Sequence, residues 1–313
     1  MQFSRRSFAR FGIAGLLPPV RGAPLASDRP RVVVARARGA VKIEDLLDRA
    51  MQSFFSASSP LDAWRRIVRP GETVGLKVNC LAGKGGSTSP ALVEVICGRL
   101  QQAGIRRQDI IVWDRLSEDL ESAGFRISRS GDRIQVMGNE ILGYENELSV
   151  YGSAGSRLAR TLTRLCDAVI NLPLLKDHGI VGVTMALKNM FGAIHNPNKY
   201  HPNAGDPYIA DVNMIPAIRS KVRLTICEAV RAQYEGGPTF MPQWTWPFNG
   251  LLVAQDPVAL DTVGWRIIEE KRAQERLPSL RQAGRAPNYI ATAADPAHRL
   301  GVDDPRRIER VEA

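Results

Sequence analysis

Three lysines and three histidines gather in one stretch of this chain: Lys176, Lys188 and Lys199 with His178, His195 and His201, the histidines being three of the four in the whole sequence. From Cys166 to Ile218 the chain holds no arginine, although only eight of its 42 lysines and arginines are lysines. Even spacing would put about six arginines there. A sequence that writes nearly every surface cation as Arg but keeps Lys here has use for a compact ammonium whose pKa can shift, because a guanidinium stays charged and wide. Chance in a small count is the alternative.

The segment Lys176-Asp-His178 alternates as a strand ends, so both side chains can face one way. A helix over Val181 to Ile194 would place Thr184 and Lys188 four apart on one face, with Val181 on that face too. Gly179, Gly182 and Gly192 permit close approach of backbone or ligand. An anion or carbonyl held there would meet two ammonium groups and an imidazole, and packing would lower a lysine pKa toward neutrality. Lys176, His178 and Lys188 are therefore the catalytic candidates, joined by Glu228, a carboxylate at a strand end that can act as a base. Each alone also has an ordinary reading, as a snorkelling lysine or a core histidine.

A second cluster, Lys77, Asn79 and Cys80, runs into Gly83-Lys84-Gly-Gly-Ser87-Thr88-Ser89. Backbone N–H groups of a Gly-rich turn feeding a helix can hold a phosphate or carboxylate, although this one matches neither the Walker nor the dinucleotide pattern. A flexible loop with Ser89 capping the helix is the other reading. The expected ligand contacts are Lys77, Asn79, Ser87, Thr184, Asn189 and His201. The metal candidates are His195, His201 and Asp206 on a Pro-rich loop, in no established zinc spacing, with substrate contact or loop structure as rivals. The aromatic stretch from Trp244 to Phe248 reads as a lid or as core closure.

These residues need elements to position them. Near-continuous apolar runs at Val32–Ala35, Thr73–Val78, Ile110–Trp113, Ala168–Leu172, Val222–Cys227 and Leu251–Ala254 read as strands buried on both faces. Helical spacing appears at Ile43–Phe55, Pro90–Ala103, Leu158–Leu165, Val181–Ile194 and Pro257–Gln274. Ser89-Pro90 and Asp256-Pro257 mark helix starts. The alternation predicts an α/β fold, a largely parallel sheet flanked by helices in Rossmann-like fashion, with residues 114 to 150 polar enough for a smaller inserted subdomain. In such sheets ligands bind outside the carboxyl ends of the strands, where these clusters fall.

At 313 residues and 44% hydrophobic the chain can bury a substantial core. Its net charge of +10 includes four arginines, Arg5, Arg6, Arg10 and Arg21, in a leader without acids. The rest shows no basic run interleaved with aromatics, so nucleic acid is not an expected partner. Arg5-Arg6, Phe8 and the apolar run Phe11–Leu17 look like a twin-arginine export signal over residues 1–26, followed by one α/β domain over 27–313. Phe11–Leu17 is too short to span a bilayer, and the expected location is the periplasm or another exported compartment. An ordinary basic helix is the alternative. Cys80, Cys97, Cys166 and Cys227 have no grouping for an iron-sulfur cluster; an oxidising compartment allows disulfides, with three pairings open.

Leu172-Pro173-Leu-Leu-Lys176-Asp-His178 and Ala186-Leu187-Lys188-Asn189-Met-Phe191-Gly192 resemble the segments Leu-Pro-x-x-Lys-x-His and Ala-Leu-Lys-Asn-x-Phe-Gly of the domain of unknown function 362 family. The resemblance extends to Val78-Asn79, Tyr200-His201, Glu235-Gly-Gly-Pro238, Asp256 to Asp261 and Pro287-Asn-Tyr289, covering nearly the whole mature chain. Relatives often carry Asp where Glu228 stands here, and some carry a ferredoxin-like module that this sequence lacks. The resemblance implies a redox setting for some members and no common activity. It also leaves open a distant likeness in fold to the nickel-pincer lactate racemase, from which no residue is carried over. Together these readings point to an exported enzyme acting on a small anionic or carbonyl-bearing substrate, its cofactor unknown. A periplasmic ligand- or cofactor-binding or maturation protein serving a separate redox partner is the alternative.

Overall fold

A computed structural model describes residues 29–129 and 131–313; the expected leader over 1–26 lies outside the described residues. In chain order the strands are β1 (Arg31–Arg36), β2 (Val74–Lys77), β3 (Ile110–Asp114), β4 (Gln135–Gly138), β5 (Ser149–Tyr151), β6 (Ala154–Ser156), β7 (Ala168–Asn171), β8 (Leu174–His178), β9 (Gly182–Thr184), β10 (Val222–Gln233), β11 (Thr245–Trp246), β12 (Gly250–Ala254) and β13 (Glu309–Glu312). The helices are α1 (Ile43–Phe55), α2 (Pro60–Arg65), α3 (Pro90–Gln102), α4 (Ser117–Ser122), α5 (Ala186–Asn189), α6 (Tyr208–Met214), α7 (Pro216–Lys221), α8 (Pro257–Gln274) and α9 (Tyr289–Ala294).

The main sheet runs β13-β1-β12-β10-β7-β2-β3-β4, and along this path only β12 opposes its neighbours. The expected α/β fold with a largely parallel sheet flanked by helices is therefore observed. Alternate residues of each strand enter two cores: Val32 and Val34 pack on one face of β1, Val33 and Ala35 on the other. Burial of both faces is why the strands read as unbroken apolar runs. On one side α1 and α3 cover the sheet through Leu46, Met51, Leu92 and Ile96; on the other, α8 and α9 do so through Leu260, Ile267 and Ile290. The two Pro-marked starts are real caps: Ser89 Oγ accepts the Leu92 N–H at 3.2 Å, and Asp256 Oδ1 accepts those of Val258 and Ala259, both at 2.9 Å.

Two helical expectations are corrected. The helix over Val181–Ile194 does not exist in its first half, because Gly182–Thr184 turns back as β9 and pairs antiparallel with β8, Lys176 opposite Thr184. Gly182 sits at φ +85° in that turn, with its Cα side against the Arg285 carbonyl, a place closed to any larger residue. The stretch Leu158–Leu165 is reduced to one wide helical turn over Thr161–Leu165. Of residues 114 to 150, Gln135–Gly138 extends the main sheet as its edge strand, and β5 pairs with β6 away from it. Among the described residues no helix is long and apolar enough to cross a membrane.

Candidate functional site

Strand β2 meets β3 on one side and β7 on the other, and the chain reaches β7 only after passing outward through β3 and β4. This reversal opens a crevice at the carboxyl ends of β2 and β3, the place where open α/β sheets bind ligands. A cavity of about 370 Å³ lies there. Lys77 and Asn79 reach it from the end of β2, Asp114 and Arg115 from the end of β3, Asp119 from α4, Lys176 and His178 from β8, Thr184 from β9, and Lys188, Asn189, Phe191 and Gly192 from α5 and the turn after it. His201 closes one side, its ring 5.6 Å from that of His178 and 5.8 Å from that of Phe191.

The three lysines differ in what holds them. Lys77 Nζ donates to Asp114 Oδ1 at 2.7 Å, to the Val78 carbonyl at 2.6 Å and to Asn189 Oδ1 at 3.4 Å, so its ammonium is fully engaged. Lys176 Nζ donates to the carbonyls of Gly86 and Pro238, both at 3.1 Å, and has no carboxylate partner among the described residues. Burial lowers it to about 8. Lys188 forms no hydrogen bond among the described residues; its Nζ stands 4.3 Å from the centre of the Phe191 ring. Burial first, then the charges of Lys77 and Lys176, bring it down to about 7. Lys188 is partly exposed and lines the cavity.

His178 Nδ1 accepts the N–H groups of Ile180 at 3.1 Å and Val181 at 3.4 Å, so a neutral ring carries its proton on Nε2. Burial, reinforced by Lys188, His201, Lys176 and Arg285, lowers its pKa to about 2 and keeps it neutral. At neutral pH His178 is thus a hydrogen-bond donor. Two acceptors in the wall are buried without a hydrogen-bond partner, Asn79 Oδ1 and Thr184 Oγ1. Such groups are rare in a folded interior, and a ligand is one way to satisfy them.

Behind the cavity the supporting bonds are dense. Asn189 Nδ2 donates to Asn171 Oδ1 at 2.7 Å, while its Oδ1 accepts from Asn79 Nδ2 at 3.0 Å, tying the ends of β2 and β7 to α5. Asp261 on α8 accepts the first N–H groups of α5, Ala186 at 2.7 Å and Leu187 at 3.1 Å. Burial nevertheless pushes Asp261 up to about 8. Arg285 donates to Asp177 Oδ2 at 2.7 Å and to both oxygens of Glu235, which also pairs with the buried Arg272. Gly237 donates its N–H to Asp177 Oδ1 at 2.9 Å, and a Cβ on it would lie 2.1 Å from the Asp177 carbonyl. The Glu235-Gly-Gly-Pro238 segment thereby fixes Lys176 and Asp177 from outside the sheet.

Of the residues singled out in the sequence, Lys77, Asn79, Lys176, His178, Thr184, Lys188, Asn189 and His201 come together. Glu228 does not line the cavity: its buried carboxylate accepts the Ser89 N–H at 2.8 Å, beneath the start of α3. That start is the expected anion-holding turn, and its Ser89 N–H is taken by the carboxyl group of Glu228, whose pKa burial raises. Ser87 is likewise outside the lining, and Gly85 and Gly86 are needed for close packing against Phe240, where a Cβ would fall 2.8 Å or 2.7 Å from ring carbon or Cβ. The metal candidates are scattered. His195 Nδ1 accepts the Arg157 N–H, Asp206 accepts the Thr292 hydroxyl, and only His201 reaches the cavity. Among the described residues no group of three or more His, Cys, Asp or Glu gathers for a metal ion. The aromatic stretch packs Trp244 and Trp246 edge-on to Tyr234 at 5.8 and 5.9 Å, outside the lining. All four cysteines are free and buried, and burial with Asp114 nearby raises Cys80 well above its usual range, so it is packing and not a thiolate.

Asp114, Arg115 and Asp119 were not singled out in the sequence. Asp114 follows directly on the predicted strand Ile110–Trp113, and its position at a strand end was the signal that could have found it.

The sheet and its crevice define an α/β protein with a cavity at the strand ends. The chain belongs to the family described as Domain of unknown function (DUF362), whose model matches residues 74–266, from β2 into α8. The structure of the lactate racemase apoprotein from Thermoanaerobacterium thermosaccharolyticum is similar at 10% identity and a TM-score of 0.44, over 78% of this chain and 58% of that one, so the chain spans less than two thirds of that protein. None of the curated proteins matches the chain in sequence.

Proposed function

We propose that the chain is an enzyme acting on a small anionic or carbonyl-bearing compound, with Lys188 as the amine that titrates, His178 as a neutral hydrogen-bond donor and Lys176 as an anion-holding group. One observation carries this reading: Lys188 stands in the cavity without a hydrogen-bond partner among the described residues and with its pKa brought to about 7. An amine half neutral near pH 7 can take a proton or add to a carbonyl, and its protonated form can hold an anion. His178, held as a donor through Nε2, suits a carbonyl or carboxylate oxygen. The unpartnered Asn79 Oδ1 and Thr184 Oγ1 suit the donors of a hydroxyl or protonated acid on the same ligand.

Lys188→Met keeps the length of the side chain and removes its charge. Native mass spectrometry of the full chain with panels of short carboxylates and 2-oxo acids is expected to show ligand retention by the wild type and at least tenfold weaker retention by K188M, with unchanged circular dichroism. Equal retention by both proteins would refute the assignment. Retention without conversion of any retained compound would favour the binding or maturation role beside a redox partner.

A further inference from the structure

Leu81 is 61% exposed and Ile180 53%, two of the five large apolar side chains most exposed among the described residues, and both border the cavity. They come from separate turns, Leu81 from the one after β2 and Ile180 from the one joining β8 to β9. A single exposed leucine carries no message. Two, placed on one mouth by unrelated turns that would ordinarily be polar, do. The wall continues inward through Pro197, Pro238 and the ring of Phe191.

The floor has the opposite character. Lys176 and Lys188 are amines without a carboxylate within ion-pair distance among the described residues, and Thr184 Oγ1 beside Lys176 lacks a partner. A wholly polar ligand would leave the mouth wet and apolar; a hydrocarbon would leave the ammonium groups unmet. An occupant that satisfies both ends carries an acid group at one and a hydrocarbon chain at the other. The cavity, about 370 Å³, lies near the lower end of the range for ligand pockets, roughly 300–1,000 Å³, which sets a ligand of modest size.

We propose that this cavity takes an amphiphilic monoacid, a carboxylate or 2-oxo acid bearing an alkyl chain, with the acid group at Lys176 and Lys188 and the chain leaving between Leu81 and Ile180. The proposal rests on the reading that the two lysines receive an anion or carbonyl, and it narrows the substrate class.

The test is isothermal titration calorimetry of the full chain with unbranched 2-oxo acids from 2-oxobutanoate to 2-oxodecanoate and the matching carboxylates. Affinity is expected to rise about three- to fourfold per methylene until the chain clears the mouth. In the double variant Leu81→Ser, Ile180→Ser the gain should fall below about twofold per methylene. A gain that survives in the double variant overturns the placement of the chain. Binding of short acids that depends on Lys188 but does not grow with chain length overturns the amphiphile and leaves the anion reading standing. If no acid of any length binds, both fall.

Discussion

Lys77 and Lys188 share one cavity, and their neighbours give them opposite characters. Three acceptors, Asp114 among them, lock the Lys77 ammonium; among the described residues Lys188 has the face of Phe191 and no hydrogen-bond partner. Gly192 belongs to the first arrangement, since a Cβ there would lie 2.3 Å from Lys77 Cε and 2.9 Å from Asp114 Oδ1. The depressed pKa of Lys188 is also a statement about stability. Below pH 7 folded and unfolded chains both hold the proton, and the fold bears the cost of a buried charge. Between about 7 and the ordinary lysine value of 10.5 the unfolded chain binds more protons, so this residue's contribution to stability rises with pH over that window. Lys188→Met lacks the penalty altogether. It should be more stable than the wild type by roughly 1–4 kcal/mol at pH 6, with the gap shrinking toward pH 10. Urea denaturation of both proteins at pH 6 and pH 9 checks this, and a gap of equal size at the two pH values would show that Lys188 is an ordinary charged lysine.

At the scale of elements, the site depends on a very short helix. Four residues, Ala186–Asn189, cannot hold a helix by their own hydrogen bonds, and α5 stands because Asp261 accepts its first two N–H groups from α8. Asp261→Ala leaves both donors buried and unpaired, an expected loss of roughly 2–4 kcal/mol. Because Lys188 and Asn189 ride on α5, retention of short acids should weaken as well. Thermal unfolding and acid titration of D261A together check this; lowered stability with unaltered acid binding would show that α5 is positioned by something else. This coupling explains what the sequence could and could not tell. Strands buried on both faces and helices with Ser89-Pro90 or Asp256-Pro257 starts carry local signals, and they form where expected. Lys176 and His178 were legible because strand alternation alone puts them on one side. The strand Gly182–Thr184 was hidden because its residues also fit helical spacing, and pairing with β8 decides the matter. Glu228 misled for a similar reason. It lies inside β10, which runs on to Gln233 instead of ending at Cys227, and the Ser89 N–H that captures it is 139 residues away in sequence.

On the scale of the whole molecule, the cavity and the closing edge of the sheet lie at opposite ends of the strand order. The site draws on the ends of β2, β3 and β8, whereas β13 pairs parallel with β1 at the far margin. Arg31 grips Glu309 through two bonds of 3.1 and 3.2 Å, and Ala313 exchanges backbone bonds with β1, accepting from Arg36 at 2.9 Å and donating to Val34 at 3.1 Å. Part of the Arg31–Glu309 pair is open to solvent, so the backbone ladder contributes more than the ion pair. Removing residues 309–313 uncovers the edge of β1, whose Val32, Val33 and Val34 are wholly buried. A loss of about 2–4 kcal/mol is expected from the ladder and the partial exposure of those valines. Acid binding should stay within about twofold, because no side chain of β1 or β13 borders the cavity. Differential scanning calorimetry beside calorimetric titration of the shortened chain separates the two quantities. A lowered transition with intact binding would mean that the sheet margin supplies stability and the reversal at β2 supplies the site. Parallel loss of both would mean that strain at the edge travels through β12, β10 and β7 to the crevice, and that the sheet responds as one body.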